Sequence, residues 1–149
     1  MRKLFIPVLV LIPLIAESQQ PVGTWSDHLR YSTAIAVVAG QKEIFASTGS
    51  SVMIYNKEFA ELRKLSRVNG LTETGISSIA WSEDHSMLII AYKNTNIDLV
   101  VKNNIFNLPD IYKKTMPERK YINRIRIKGR QAFLATSFGI VIVDLLKKE

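Results

Sequence analysis

Three copies of one short pattern recur along this chain at a spacing near 45 residues, and that period constrains the fold more than any other feature. Each copy centres on an alanine: Ile44-Phe45-Ala46-Ser47, Ile89-Ile90-Ala91-Tyr92 and Phe133-Leu134-Ala135-Thr136, with the alanines 45 and 44 residues apart. Six and eight residues after each alanine lie Val52 and Ile54, Ile97 and Leu99, Val141 and Val143. Upstream lie Ile35 and Val37, Ile79 and Trp81, Ile125 and Ile127. Seven positions keeping pace across three copies mark an internal repeat, even in a chain that is 47% hydrophobic.

Each copy reads as short β-branched and aromatic runs divided by Asn, Asp, Gly and Ser, which favour turns because they tolerate positive φ or bond their own backbone. In the second copy the spacing predicts strands over residues 76–81, 87–92, 97–101 and 105–111. Residues 59–65 carry a weak helical period (Phe59, Leu62, Leu65), but their place in the repeat makes them the outer strand of the first copy. Four strands in about 45 residues is the unit of a β-propeller blade. The expected fold is therefore all-β, with about three four-stranded blades of a β-propeller in an incomplete ring. The repeats span approximately residues 32–74, 75–120 and 121–149. A β-sandwich or open barrel with evenly spaced hairpins is the competing arrangement. The apolar second strands fit a blade, whose middle is covered on both faces by its neighbours. Propellers close with about 4–8 blades. The third copy stops after its third strand, so the sequence is expected to be the front of a longer protein, with residues 25–31 as a ring-closing strand.

Residues 1–18 stand apart from the repeat. Arg2 and Lys3 precede an apolar run over residues 4–15, followed by Ala16-Glu17-Ser18. That is the layout of a signal peptide cut after Ser18, and it implies export to the periplasm or the outer cell surface. The run is too short for a bilayer span, which needs about 20 apolar residues. The mature part, residues 19–149, contains no cysteine, so disulfides and thiolate metal sites are excluded. It keeps 18 of the 20 Lys and Arg residues and 12 of the 13 Asp and Glu residues, a net charge of +6. Such a balance favours anionic partners. Nucleic acid is not expected, because export and the lack of an aromatic platform among the basic residues argue against it.

Two motifs give the chain a family likeness. The opening Gly23-Thr24-Trp25-Ser26-Asp27-His28-Leu29-Arg30-Tyr31 resembles the start of the mature PorZ-type propeller proteins of the type IX secretion system. The linker Asn69-Gly70-Leu71, followed by Ile76 and Ile79, is similar to the Asn-Gly-Leu junction of the two-component-regulator propeller repeat, which PorZ-type proteins share. The resemblance implies a component of the complex that attaches secreted cargo to anionic lipopolysaccharide. There the propellers form a binding scaffold beside a sortase-like protease and are not catalytic. PorZ-type proteins are much longer, with two propellers and a C-terminal β-domain. The sensory propeller of a periplasmic two-component glycan receptor carries the same repeat and is the alternative function.

Catalytic chemistry has little to stand on. His28 and His85 lack partners at metal-binding spacing. Adjacent strand residues such as Asp27 and His28 point to opposite faces. Residues 47–51 have the composition of a phosphate loop without its lysine or following helix, and read as a hairpin turn. The chain is accordingly expected to be no enzyme and to carry no cofactor or metal. In Asn69-Gly70-Leu71, Asn-Gly suits a turn of positive φ and Leu71 should tuck under the sheet. Two sets of residues remain as candidate binding features. Arg124, Arg126 and Lys128 alternate with isoleucines on one strand and share a face. With Lys113, Lys114, Arg119 and Lys120 just upstream, they form a candidate anion-binding surface for an acidic glycan or lipopolysaccharide. Trp25, Tyr31 and Trp81 are candidate aromatic contacts for a sugar or a protein, although the repeat register of Trp81 favours core packing.

Overall fold

The computed structural model describes residues 28–149 as three antiparallel sheets in chain order. The candidate signal peptide and Trp25 lie outside the described residues. The first sheet comprises β1 (Ala36–Ala39), β2 (Glu43–Ser47), β3 (Val52–Asn56) and β4 (Glu61–Leu65). The second comprises β5 (Ile76–Ser82), β6 (Met87–Tyr92), β7 (Ile97–Val101) and β8 (Asn104–Leu108). The third comprises β9 (Ile122–Lys128), β10 (Gln131–Thr136) and β11 (Gly139–Asp144). Each is a meander in which neighbours in sequence are neighbours in the sheet. The sheets are propeller-like blades that do not close into a ring, as the repeat implied. Among the described residues no helix is long and apolar enough to cross a membrane.

Local chemistry accounts for the strand ends. Pro109 has no N–H to give to the ladder, so β8 stops at Leu108, short of the expected residue 111, and a single helical turn, α1 (Asp110–Lys113), follows. Residues 61–65 form a strand despite their helical period, pairing residue for residue with β3. Its exposed Glu61, Arg63 and Lys64 suit an edge, where charge discourages pairing with another chain. Gly70 ends a short 3-10 turn (Arg67–Asn69) at φ 112°, a conformation open to glycine. This turn sends Leu71 into the core, where it is buried, as its motif implied.

The second sheet is covered on both sides. From β6, Leu88, Ile90 and Tyr92 pack toward Phe45, Val52 and Ile54 of the first sheet. Met87, Ile89 and Ala91 pack toward Ile125, Leu134 and Val143 of the third. All six residues of β6 are buried, which explains its continuous apolar run. The strands β1, β5 and β9 lie innermost, β5 touching both of the others.

The ladders correct the repeat register in three places, the first being upstream, where Val37 is the equivalent of Ile79 and Ile125 and not of Trp81 and Ile127. Phe45 pairs with Val38 and Ile54, Ile89 with Ala80 and Leu99, and Phe133 with Arg126 and Ile142. Phe45, Ile89 and Phe133 are thus structural equivalents, and Ala46 corresponds to Ile90 and Leu134, not to Ala91 and Ala135. In the third copy the equivalents of Ile97 and Leu99 are Ile140 and Ile142, not Val141 and Val143. Side chains alternate faces along a strand, so a slip of one residue reverses the face. Ile97 and Leu99 pack toward the third sheet, whereas Val141 and Val143 pack back onto the second.

Candidate functional site

A groove opens between the first and second sheets, bordered by the turns at one end of their strands. One part of about 300 Å³ has a floor of Phe45, Ile54, Leu88 and Val100, with Trp81 as one wall. A second part of about 200 Å³ continues it toward Leu65 and Ile105, and the two share Ile54, Arg63, Val100, Lys102 and Asn103. Trp81 stacks on Phe45 with ring centroids 4.6 Å apart, so part of the expected core packing is present. It remains half-buried and open to the groove. Its indole N–H donates to Glu83 Oε2 at 2.6 Å, and the Gln41 N–H donates to the same oxygen at 3.1 Å. Gly40 makes this placement possible, because a Cβ there would fall 2.4 Å from Trp81 Nε1.

The candidate basic residues lie on two elements, β9 and the loop around α1. Arg124, Arg126 and Lys128 are exposed, and their strand partners Ala135, Phe133 and Gln131 share the third-sheet face turned away from the second. Lys113, Lys114 and Arg119 are exposed around α1. Lys120 is engaged otherwise: its ammonium donates to the carbonyls of Ile111, Tyr112 and Lys114 at 2.8, 2.8 and 2.6 Å, closing the loop after α1. The Lys64 ammonium lies over the Tyr31 ring, 4.4 Å from its centroid, while Trp81 lines the groove. His85 Nδ1 lies 3.1 Å from Ser82 Oγ in the β5–β6 turn. Among the described residues no group of three or more His, Asp or Glu is placed to hold a metal ion.

A polar cluster that sequence reasoning missed holds the junction between the first two sheets. Asp98 is fully buried in β7 and accepts four hydrogen bonds. They come from Thr72 N (2.9 Å), Thr72 Oγ1 (2.8 Å), Tyr92 Oη (2.6 Å) and Asn107 Nδ2 (2.9 Å). Asn96 extends the set through Thr72 Oγ1 and Asn107. The available signal was an aspartate inside the apolar run Ile97-Asp98-Leu99-Val100-Val101, since a buried carboxylate must find donors.

Burial, reinforced by the Asp98 carboxylate that accepts its proton, pushes the Tyr92 phenol far above its ordinary value of 10.0. The folded state therefore holds this proton more tightly than the unfolded state. Its contribution is complete below the unfolded phenol value and falls as pH rises beyond it toward the folded value. Stability is expected to decline above pH 10 with a limiting slope of about 1.4 kcal/mol per pH unit. Denaturant midpoints measured from pH 8 to 11 test this, and an equal slope in Tyr92→Phe would exclude Tyr92 as its source.

Comparison with known proteins agrees with the blade architecture. The family model described as the type IX secretion PorZ N-terminal β-propeller domain matches residues 44–149. The solved structure of PorZ from Porphyromonas gingivalis, described as an essential bacterial surface component of the type IX secretion system, is 29% identical with a TM-score of 0.77. That match covers 85% of this chain and 17% of that chain, so the sequence spans under a fifth of that protein's length. More distant likenesses show the fold alone. The β-propeller domain of Cps50 (Swd1) from Myceliophteria thermophila is 17% identical with a TM-score of 0.50, over 75% of this chain and 36% of that one. A chain of the mitotic checkpoint complex is 15% identical with a TM-score of 0.53, over 96% and 46%. Among curated proteins none matches.

Proposed function

The chain belongs to the PorZ N-terminal β-propeller family of the type IX secretion system, and from that premise we propose that it is a non-catalytic scaffold of the system's cell-surface attachment complex. The carrying observation is the match across residues 44–149, which runs from β2 of the first blade through the third. In this reading the protein is exported, acts in the periplasm or at the outer cell surface, and binds protein partners and anionic lipopolysaccharide. The exposed cations of the α1 loop support the last of these, because an acidic glycan concentrates against a surface of unpaired positive charge; those of β9 share a face with Ile140 and Ile142 and lend less.

The test uses the full-length gene product and immobilised anionic lipopolysaccharide. Reversing Lys113, Lys114 and Arg119 to glutamate is expected to weaken binding roughly tenfold, and the same reversal at Arg124, Arg126 and Lys128, on the face shared with Ile140 and Ile142, to weaken it less. Added salt should weaken the wild type in the same direction. Binding that neither salt nor either charge reversal alters would remove the anionic ligand from the reading. Failure of the wild type to co-purify with any type IX component would remove the scaffold itself.

A further inference from the structure

We propose that the groove between the first two sheets docks an extended acidic peptide of a partner protein, with an apolar side chain seated against Trp81 and Phe45. The proposal rests on the scaffold reading and specifies where a partner binds and by what chemistry.

Charge and shape both select this occupant. The two parts of the groove meet at Arg63 and Lys102, giving an elongated trough with cations at its waist. Lys64 adds positive charge toward one end, and Lys42, 3.9 Å from Glu58, lies toward the other. Two carboxylates also line it: Glu43 and Arg63 balance one another, and Glu83 keeps its charge, so the excess positive charge comes from Lys102 and Lys64. Glu43 pairs with Arg63 at 3.0 Å, and Glu83 accepts the Trp81 and Gln41 N–H groups. Lys102 has no ion-pair partner among the described residues. The floor between the cations is aliphatic, from Ile54, Leu88 and Val100 to Ile105. Such a floor suits apolar side chains, which on an extended strand alternate with outward-pointing carboxylates. A saccharide would instead need many polar partners for its hydroxyls, and this floor offers few.

Backbone conformation at the rim allows a test. Lys102 has φ 54° and Ser86 has φ 46°, in the two turns on the second-sheet rim of the groove. That region is unfavourable for residues with a Cβ and is favoured by glycine at the first central position of a tight hairpin turn. The same conformation recurs at Ala60, Thr95 and Lys148 in other turns, so at Lys102 it marks a turn position where glycine removes the charge and relieves the backbone. Lys102→Gly should therefore separate the two roles, raising the thermal midpoint while weakening the peptide. A purely structural lysine would not produce opposite signs.

The experiment uses the full-length gene product and a fluorescein-labelled ten-residue peptide alternating glutamate with leucine and phenylalanine. Its lysine-for-glutamate counterpart and an oligogalacturonate of similar length are the controls. The acidic peptide is expected to bind, with affinity falling as salt rises, and both controls should bind at least roughly tenfold more weakly. Trp81→Ala is expected to weaken the acidic peptide roughly tenfold, and Gly40→Ala to weaken it by displacing the indole. Lys102→Gly should weaken it about threefold or more while raising the midpoint by a few degrees. Equal or tighter binding of the uronate, or unchanged peptide affinity in Lys102→Gly, would overturn the proposal. A wild-type protein that joins the secretion complex yet ignores the peptide would remove the groove and leave the scaffold reading intact.

Discussion

Asp98→Ala is expected to lower the stability of the protein by about 2–5 kcal/mol, because it leaves several buried donors without their acceptor. The carboxylate is the common acceptor for Tyr92 Oη, Thr72 N, Thr72 Oγ1 and Asn107 Nδ2. Deleting it leaves donors facing a space that water does not freely enter, and each unsatisfied buried group costs about 1–3 kcal/mol. Thr72 follows the Gly70-Leu71 turn, so the damage falls where the chain crosses from the first sheet to the second. Asp98→Asn keeps the shape but places an amide N–H₂ toward some of these donors, and should lie between Ala and wild type. Denaturant unfolding of the full-length product measures both, and a loss below about 1 kcal/mol for Asp98→Ala would show that the cluster is not a structural junction.

Residues 19–149 expressed alone are expected to self-associate. In the first two blades and the third, structurally equivalent positions differ sharply in exposure according to whether a neighbouring sheet lies against them. Ile97 and Leu99, facing the third sheet, are 1% and 0% exposed, while their equivalents Ile140 and Ile142 are 75% and 52% exposed. At the other end, Ile79 is 6% exposed and its equivalent Val37 is 61% exposed. Both outer faces thus carry the apolar pattern of an inter-blade contact, and the innermost and outermost strands have unpaired edges. Fully burying one such isoleucine is worth about 1.5–3 kcal/mol, and contiguous apolar faces with open edges drive association. Size-exclusion chromatography with light scattering should find oligomers or aggregate. Val37→Lys together with Ile140→Glu and Ile142→Lys should shift the population toward monomer. A sharply unfolding wild-type monomer would mean that these faces are not contact surfaces.

Much of the architecture was legible because a propeller blade writes its plan locally. The continuous apolar run at β6 and the turn residues between strands located the second sheet to within a residue or two, apart from β8, which Pro109 cut short. The Asn69-Gly70-Leu71 junction announced both its turn and its buried leucine. The candidate sites were less legible. Lys120 looked like one more loop cation, and only the folded loop brings three carbonyls to its ammonium. Trp81 looked like core by its place in the repeat. Its stack on Phe45 supplies part of that packing, but its exposure to the groove depends on the gap that two sheets leave between their ends.

By itself, then, the sequence determined the class of fold: a period near 45, strands of β-branched residues and turns of Gly, Asn and Asp admit few arrangements other than stacked four-stranded blades. Which face each residue presents was decided only by the tertiary structure. The hairpins of the three copies differ by one residue in length, with five residues between Ala91 and its partner Ile97 but four between Ser47 and Val52 and between Ala135 and Ile140. An alignment on the alanines therefore placed Ala46, Val141 and Val143 one residue out of register. Cross-strand pairing fixes the register, and pairing joins residues that are distant in the chain. A side chain's face reverses with every single-residue shift, so a repeat can be read correctly while some of its inward and outward assignments are not. The same reason hid Asp98, whose donors Thr72 and Asn107 lie 26 residues before it and 9 after it and meet it only when the first two sheets are joined.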